Sequence, residues 1–368
     1  MGAQRMKKLI FAVTNDLTYD QRMQKICRTL AKSGYEVWLV GRELPHSIPL
    51  HDEIYRQKRM RCLFHKGKLF YAEYNLRLFL YLIRQRFDAV CAIDLDTIAA
   101  CALAARFKGR KLAFDAHEYF TEVPEVIRRP IVQRLWRLAE KIFVPMANVH
   151  YTVAPGLAEI FRKQTGKEFH VIYNVPEWRE APADSPACEK YLLYQGALNE
   201  GRGLESLLHA MPQIDIPLYL AGEGDLSDKL RKLAKRLHIE HKVKFLGRVP
   251  PGRLREITAG AYIGLHISEP LGLSYYYSLG NKFFDYIHAS LPQICTAMPE
   301  YEKINREFEV ALMIPRPAPE HIVDAVNRLM SDENYYQRLK KNCEVCARRY
   351  NWQAQEPKLR KIYDQLLG

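Results

Sequence analysis

An apolar run at residues 191–195 ends in Gly196-Ala-Leu-Asn-Glu-Gly201-Arg202-Gly203, and a helical stretch begins at 204. Glycines at such a strand-to-helix turn let the backbone approach a phosphate, and the start of the helix offers free N–H groups. Arg202 adds a fixed cation that can donate two N–H groups to one anion. The plainer alternative is a left-handed turn carrying a surface arginine. A second segment, Asn281-Lys-Phe-Phe-Asp285, opens a predicted helix over 281–289. Lys282 falls in the first turn, where a cation conflicts with the helix dipole and a bound anion would remove the conflict. Asp285 lies about one turn further along on a similar face, where a carboxylate can accept both hydroxyls of a ribose. The loop 271–280, with Ser274, can supply N–H donors, and Gly222-Glu-Gly224 closes another strand. These residues fit a nucleoside diphosphate; the alternative is a solvated helix face with a Lys–Asp pair.

The N-terminal half carries different chemistry. The first strand-to-helix loop holds Asn15, Asp16, Asp20 and Arg22. They can line a site, and an Asp20 helix N-cap with solvent-facing neighbours is an equal alternative. Asp94-Leu-Asp96 ends another strand, and Asp115-Ala-His117-Glu118 a third. Residues 1–178 hold 29 Lys and Arg against 18 Asp and Glu; residues 179–368 hold 26 against 24. The basic half is built to meet something anionic.

These groups need a scaffold. At 368 residues, with 48% hydrophobic and 26% charged content, the chain suits two domains, each with a core. Strand-like runs at 7–14, 35–40, 89–93, 111–114, 149–153 and 169–172 alternate with helical stretches at 21–32, 96–107 and 131–143. Such alternation predicts a parallel sheet covered by helices. A Pro-rich, charged segment follows, and the alternation restarts with strands near 191–195, 217–221, 243–246, 261–266 and 292–296. The predicted organisation is α/β: a domain over 1–173, a linker over 174–190 and a domain over 191–351. The helix at 352–368 is expected to pack back on the first domain. Ligands then bind at the C-terminal strand ends facing a central cleft.

Together these pieces resemble the retaining glycosyltransferases of GT-B fold, group 1 or family 4, over nearly the whole chain. The pieces are residues 9–13, Asp115-Ala-His117-Glu118, Val171-Ile-Tyr-Asn174, Gly196 to Gly203, Ala221-Gly-Glu-Gly224, Phe245-Leu-Gly247, the block 281–292 and Tyr350-Asn-Trp352. The resemblance implies two Rossmann-like parallel-sheet domains and a UDP- or GDP-type sugar donor held by the second. It places Gly196, Arg202, Gly222, Gly224, Ser274, Asn281, Lys282 and Asp285 on the donor. It makes His117, Arg202 and Lys282 the catalytic set. Asn15, Asp16, Asp20, Arg22 and Asp96 fall on the acceptor side, for a glycan or lipid-linked acceptor. Sugar transfer with retention follows, with no cofactor and no metal, since the two cations neutralise the diphosphate.

The chain departs from the family at two positions. Ala197 stands where a basic residue usually follows the glycine, and Tyr277 stands eight residues before Asp285, where an acid is usual. A nucleotide-sugar epimerase of the same fold and a non-catalytic partner subunit are therefore the competing readings. The apolar 78–83 stretch, flanked by Arg77, Arg84 and Arg86, suits an anionic membrane surface. A cytoplasmic, peripheral location on the inner face of the plasma membrane is expected. Eight cysteines, mostly isolated in apolar patterns, suit reduced thiols. The Cys343–Cys346 pair has no second pair to complete a metal site. Missing nucleic-acid motifs and a missing Gly-x-Gly-x-x-Gly argue against a nucleic-acid binder and a dehydrogenase.

Overall fold

The computed structural model describes residues 5–18, 20–45, 47–179 and 190–368. The chain forms two compact units, Met1–Asn174 with Gln353–Gly368, and Val175–Trp352. Most of the expected 174–190 linker, with Cys188, lies outside the described residues.

In the first unit the strands are β1 Lys8–Ala12, β2 Glu36–Arg42, β3 Arg56–Met60, β4 Ala89–Ile93, β5 Lys111–Ala116, β6 Val149–Thr152 and β7 Phe169–Val171. They form one parallel sheet ordered β3-β2-β1-β4-β5-β6-β7. All five residues of β1 and of β4 are buried. That is the signature of strands covered on both faces by crossover helices. The helix Gln21–Lys32 shows how the sequence builds one such cover. Asp20 caps it by accepting the Met23 N–H at 3.1 Å, and Met23, Ile26, Cys27 and Leu30 form its buried stripe. β3 was not expected. Its sequence, Arg-Gln-Lys-Arg-Met, lacks apolar alternation because it is the sheet's edge, where charged side chains discourage further pairing.

The second unit contains β8 Leu192–Gln195, β9 Leu218–Ala221, β10 Val243–Gly247, β11 Ile263–His266, β12 Gln293–Thr296 and β13 Ala311–Ile314. They form a parallel sheet ordered β10-β9-β8-β11-β12-β13. In both sheets the order reverses beside the first strand, between β1 and β4 and between β8 and β11. At such switch points the outgoing connections diverge to opposite faces and leave a crevice beyond the strand ends.

The helix Trp352–Leu367 packs on the first unit. Tyr363 Oη lies 3.0 Å from Tyr151 Oη, and its ring meets Phe11 at 5.7 Å. The helix Gly67–Arg84 corrects the expected membrane stretch. Phe70, Tyr74, Leu78 and Leu82 recur every four residues and are buried, so 78–83 is partly core.

Candidate functional site

Each switch point gathers polar residues. In the first unit a cavity of about 580 Å³ opens beyond the ends of β1, β4 and β5. Thr14 and Asn15 enter it from β1, Asp94 and Asp96 from β4, and His117 and Glu118 from β5, with Arg42 and Lys66 on its wall. Asp94 carries the local strain. Its φ of 55° and ψ of 176° belong to a region that costs a non-glycine residue about 1–3 kcal/mol. It is held from both sides. Its N–H donates to Asp115 O at 2.9 Å, and its Oδ1 accepts the His117 N–H at 2.7 Å. Asp96 accepts the Thr14 hydroxyl at 2.5 Å, and burial lifts its carboxyl to about 6.

Beneath the cavity lies an alternating charge cluster. Arg22 donates to both oxygens of Asp115, at 3.0 and 3.3 Å, and to Ile172 O at 2.9 Å. The Asp115 side chain has no solvent exposure and that of Arg22 has 2%. His117 Nε2 lies 2.9 Å from Asp115 Oδ2, and Nδ1 lies 3.9 Å from Asp94 Oδ2. Burial works against a charged ring and Arg22 repels it, but Asp115 and Asp94 prevail and raise His117 to about 9. The carboxylates thus draw the ring toward its protonated form, against Arg22, whose Nε lies 3.1 Å from the same Nε2. In the unfolded chain its pKa returns to about 6.5, so the folded state holds the extra proton between those values. The His117 contribution to stability is complete below about 6.5 and lost as pH rises through about 9. Melting curves across that window should show Tm falling with pH, and His117→Gln should flatten the slope. An unchanged slope would count against the imidazolium.

The five expected acceptor-side residues do not share one face. Asn15 and Asp96 line the cavity. Asp16 is tied to Arg59, Ser47 and the Thr18 N–H, Asp20 caps its helix, and Arg22 neutralises Asp115. The loop is short and polar because it must satisfy these buried groups, and that pattern imitates a ligand site. Asp94, which follows β4 close to Asp96, lines the same cavity.

In the second unit, β8 and β11 end at Gln195 and His266. Gly196 follows with φ +124°, and a Cβ there would lie 3.8 Å from Lys282 Nζ. Lys282 Nζ lies 3.9 Å from the Tyr194 ring centroid, and the Arg202 guanidinium lies 4.4 Å from that of Tyr275. Neither cation has a carboxylate within 4.0 Å among the described residues. Burial and the nearby Arg202 hold Lys282 well below the ordinary lysine range. Two half-buried basic side chains with aromatic support and no carboxylate partner can receive an anion.

Around them, Asp285 Oδ2 accepts from Gln195 Nε2 at 2.8 Å, and Gln195 Oε1 accepts from Thr258 at 2.8 Å. Asp285 is thus oriented through a chain reaching under the sheet. Asn281 begins the helix Asn281–His288 and is exposed. Gly222 serves close packing: with φ +151°, a Cβ would fall 1.9 Å from Gly196 O. Gly224 likewise faces the Leu198 backbone and the Asn199 side chain. Ser274 is buried in a short helix, Gly272–Tyr276, which replaces part of the loop expected to offer N–H groups. His266 escaped notice in the sequence. It is buried, both ring nitrogens lack a partner, and burial with Lys282 and Arg202 keeps it neutral. Ser268 and Thr296, near the same strand ends, also have buried hydroxyls without partners. Buried polar atoms without partners beside a strand-end crevice suit a polar ligand, although others, such as those of Tyr55, Tyr81 and Thr121, lie elsewhere in the chain.

The family model "Glycosyl transferases group 1" matches residues 178–345, and "Glycosyltransferase Family 4" matches residues 21–175. An uncharacterized glycosyltransferase of Methanocaldococcus jannaschii is 26% identical over 171 residues, 45% of this chain and 42% of that protein. The phosphatidyl-myo-inositol mannosyltransferase of Mycobacterium leprae is 26% identical over 201 residues, 52% and 51% of the two chains. The chain thus spans about half the length of the curated relatives it matches. Solved structures agree over nearly the whole fold. Sucrose-phosphate synthase from Thermosynechococcus elongatus has a TM-score of 0.82 at 17% identity, covering 98% of this chain and 99% of that one. HepE of Anabaena, in complex with UDP-glucose, has a TM-score of 0.76 at 13% identity, covering 97% and 99%.

Proposed function

Since the chain belongs to the group 1 glycosyltransferases of GT-B fold, we propose that it moves a hexosyl group from a nucleotide-sugar to a glycan or lipid-linked acceptor, with retention. The observation that carries this reading is the pair Arg202 and Lys282, two cations without a counter-ion at the β8–β11 switch point. A nucleoside diphosphate supplies the missing negative charge, and the pair stabilises it best as the charge grows on departure. Asp285, held by Gln195, accepts the ribose hydroxyls. With two cations on the diphosphate the reaction needs no divalent ion, and EDTA should leave its rate unchanged.

The first unit's cavity takes the acceptor. Asp94, Asp96 and Asn15 offer hydrogen bonds to sugar hydroxyls, and Asp96, titrating near 6, is poised to receive a hydroxyl proton. The His117 imidazolium supplies positive charge next to them. Relatives of this chain include a mannosyltransferase named for phosphatidyl-myo-inositol and a lipopolysaccharide core glycosyltransferase of Rhizobium meliloti, 25% identical over 193 residues, 50% of this chain and 54% of that protein. Those names favour a role in glycolipid or cell-surface polysaccharide synthesis. The proposed setting is the cytoplasmic face of the plasma membrane. No helix among the described residues is long and apolar enough to cross one.

The test is a thermal-shift screen of UDP-, GDP-, ADP- and CMP-sugars, followed by transfer and donor-hydrolysis assays with the best ligand. A UDP- or GDP-sugar should raise Tm, because a ligand bound only by the folded state stabilises it. Near wild-type transfer by both Arg202→Ala and Asp285→Ala would remove this donor site. Epimerised or free sugar produced without any acceptor would replace the transferase reading.

A further inference from the structure

The helix Pro130–Phe143 has no fully buried residue, although its apolar and polar residues are sharply segregated. Ile131, Leu135, Leu138 and Ile142 recur at spacings of four, three and four, which puts them on one stripe. That stripe points outward: the four are 75, 63, 54 and 49% exposed. The inward side is half-buried and includes Gln133, Trp136 and Phe143. An amphipathic helix normally buries its apolar stripe; this one turns it to solvent.

The charges around the stripe indicate what covers it. Arg128, Arg129, Arg134, Arg137 and Lys141 lie on or just before the helix. Its acid, Glu140, is half-buried. Arg137 is paired with Glu122 at 2.7 Å, and no carboxylate is within 4.0 Å of Arg134 or Lys141 among the described residues. The helix Leu95–Lys108, which packs against it, adds exposed Leu103 and Phe107. A second copy docked stripe to stripe would bring these like charges together. An anionic bilayer accepts the apolar stripe among its acyl chains and the cations among its headgroups.

We infer that the helix Pro130–Phe143 is the face on which this protein lies against an anionic lipid bilayer. Its inner side links that surface to the cavity. Trp136 packs edge-on against Tyr71 at 5.3 Å and Phe120 at 5.0 Å, and both of these line the cavity. The membrane-facing helix and the acceptor cavity therefore share a wall. That the bilayer presents a lipid-linked acceptor rests on the function proposed above; the docking itself does not.

The experiment sediments the whole protein with vesicles of phosphatidylglycerol and phosphatidylcholine in equal parts, and with pure phosphatidylcholine, at low and high salt. The expected result is retention on the anionic vesicles that weakens with salt. Leu135→Asp with Leu138→Asp should cut it about tenfold, without changing Tm or donor-nucleotide binding. Leu76→Asp with Leu80→Asp, exposed apolar residues on another helix, should retain the binding. Equal retention by the first variant, or none by the wild type, overturns the inference. A wild-type dimer that the first variant dissociates also overturns it, assigning the stripe to a second copy. Loss of lipid binding with intact transfer to a water-soluble acceptor would leave the transferase reading standing.

Discussion

Lys282→Ala should lower kcat/KM by about two to three orders of magnitude and leave the folded protein no less stable. The two halves of that expectation share one cause. Lys282 is a cation in a partly buried site, beside Arg202, with no carboxylate partner. Burial and Arg202 depress its pKa. The unfolded chain therefore binds a proton more readily at this position, and the charged side chain costs the folded state free energy. Its place over the Tyr194 ring recovers only part of that cost. Alanine removes the penalty along with the catalytic charge. A diphosphate reverses the sign: bound beside Lys282 it raises the pKa again, so donor binding should take up a proton and weaken as the solution becomes more alkaline. Calorimetry in two buffers of different ionisation enthalpy reads the proton, and initial rates read the loss. Wild-type turnover in the alanine variant would show that the anion site is not the donor site.

The second large effect is on stability. Asp115→Ala should destabilise the first unit by about 3–5 kcal/mol. Asp115 is fully enclosed and holds Arg22 through two hydrogen bonds and His117 through a third. Removing the carboxylate leaves the buried Arg22 guanidinium without its counter-ion and removes the main group that favours a charged His117. For a unit of this size that loss corresponds to a Tm drop of about 10 °C. Replacing Arg22 by Met as well should restore part of the loss, because an uncompensated charge costs more than a missing ion pair. The second unit has its own sheet and core, so nucleotide binding should survive where the first unit has begun to melt. A drop below about 1 kcal/mol would mean that the cluster is solvated and that its role in shaping the cavity has been overstated.

The sequence made the fold largely legible, because periodicity reports burial directly. The helix Gln21–Lys32 and the strands β1, β4 and β8 announce themselves through runs with one consistent period. β3 does not, since an edge strand needs no apolar face. Lys282 was legible for a physical reason: a lysine opening a helix is out of place unless something anionic joins it. Asp16, Asp20 and Arg22 are ambiguous in the sequence because capping, turn closure and ligand binding recruit the same side chains. The strain at Asp94 carries no sequence signal, since no glycine marks its left-handed φ. The helix Pro130–Phe143 was expected on the right residues, but a hydrophobic period gives the width of a stripe and not the side to which it turns.

The division of the first unit between residues up to 174 and residues from 353 has a consequence for how the chain comes into being. A ribosome releases the second unit's whole sheet before it releases the helix that carries Tyr363. Until then Phe11 and Tyr151 lack the ring that completes their side of the core. The unit begun first is finished last, and in the interval its parallel sheet has an uncovered apolar face. Residues 353–368 thus join the first unit only after the whole second unit has been made.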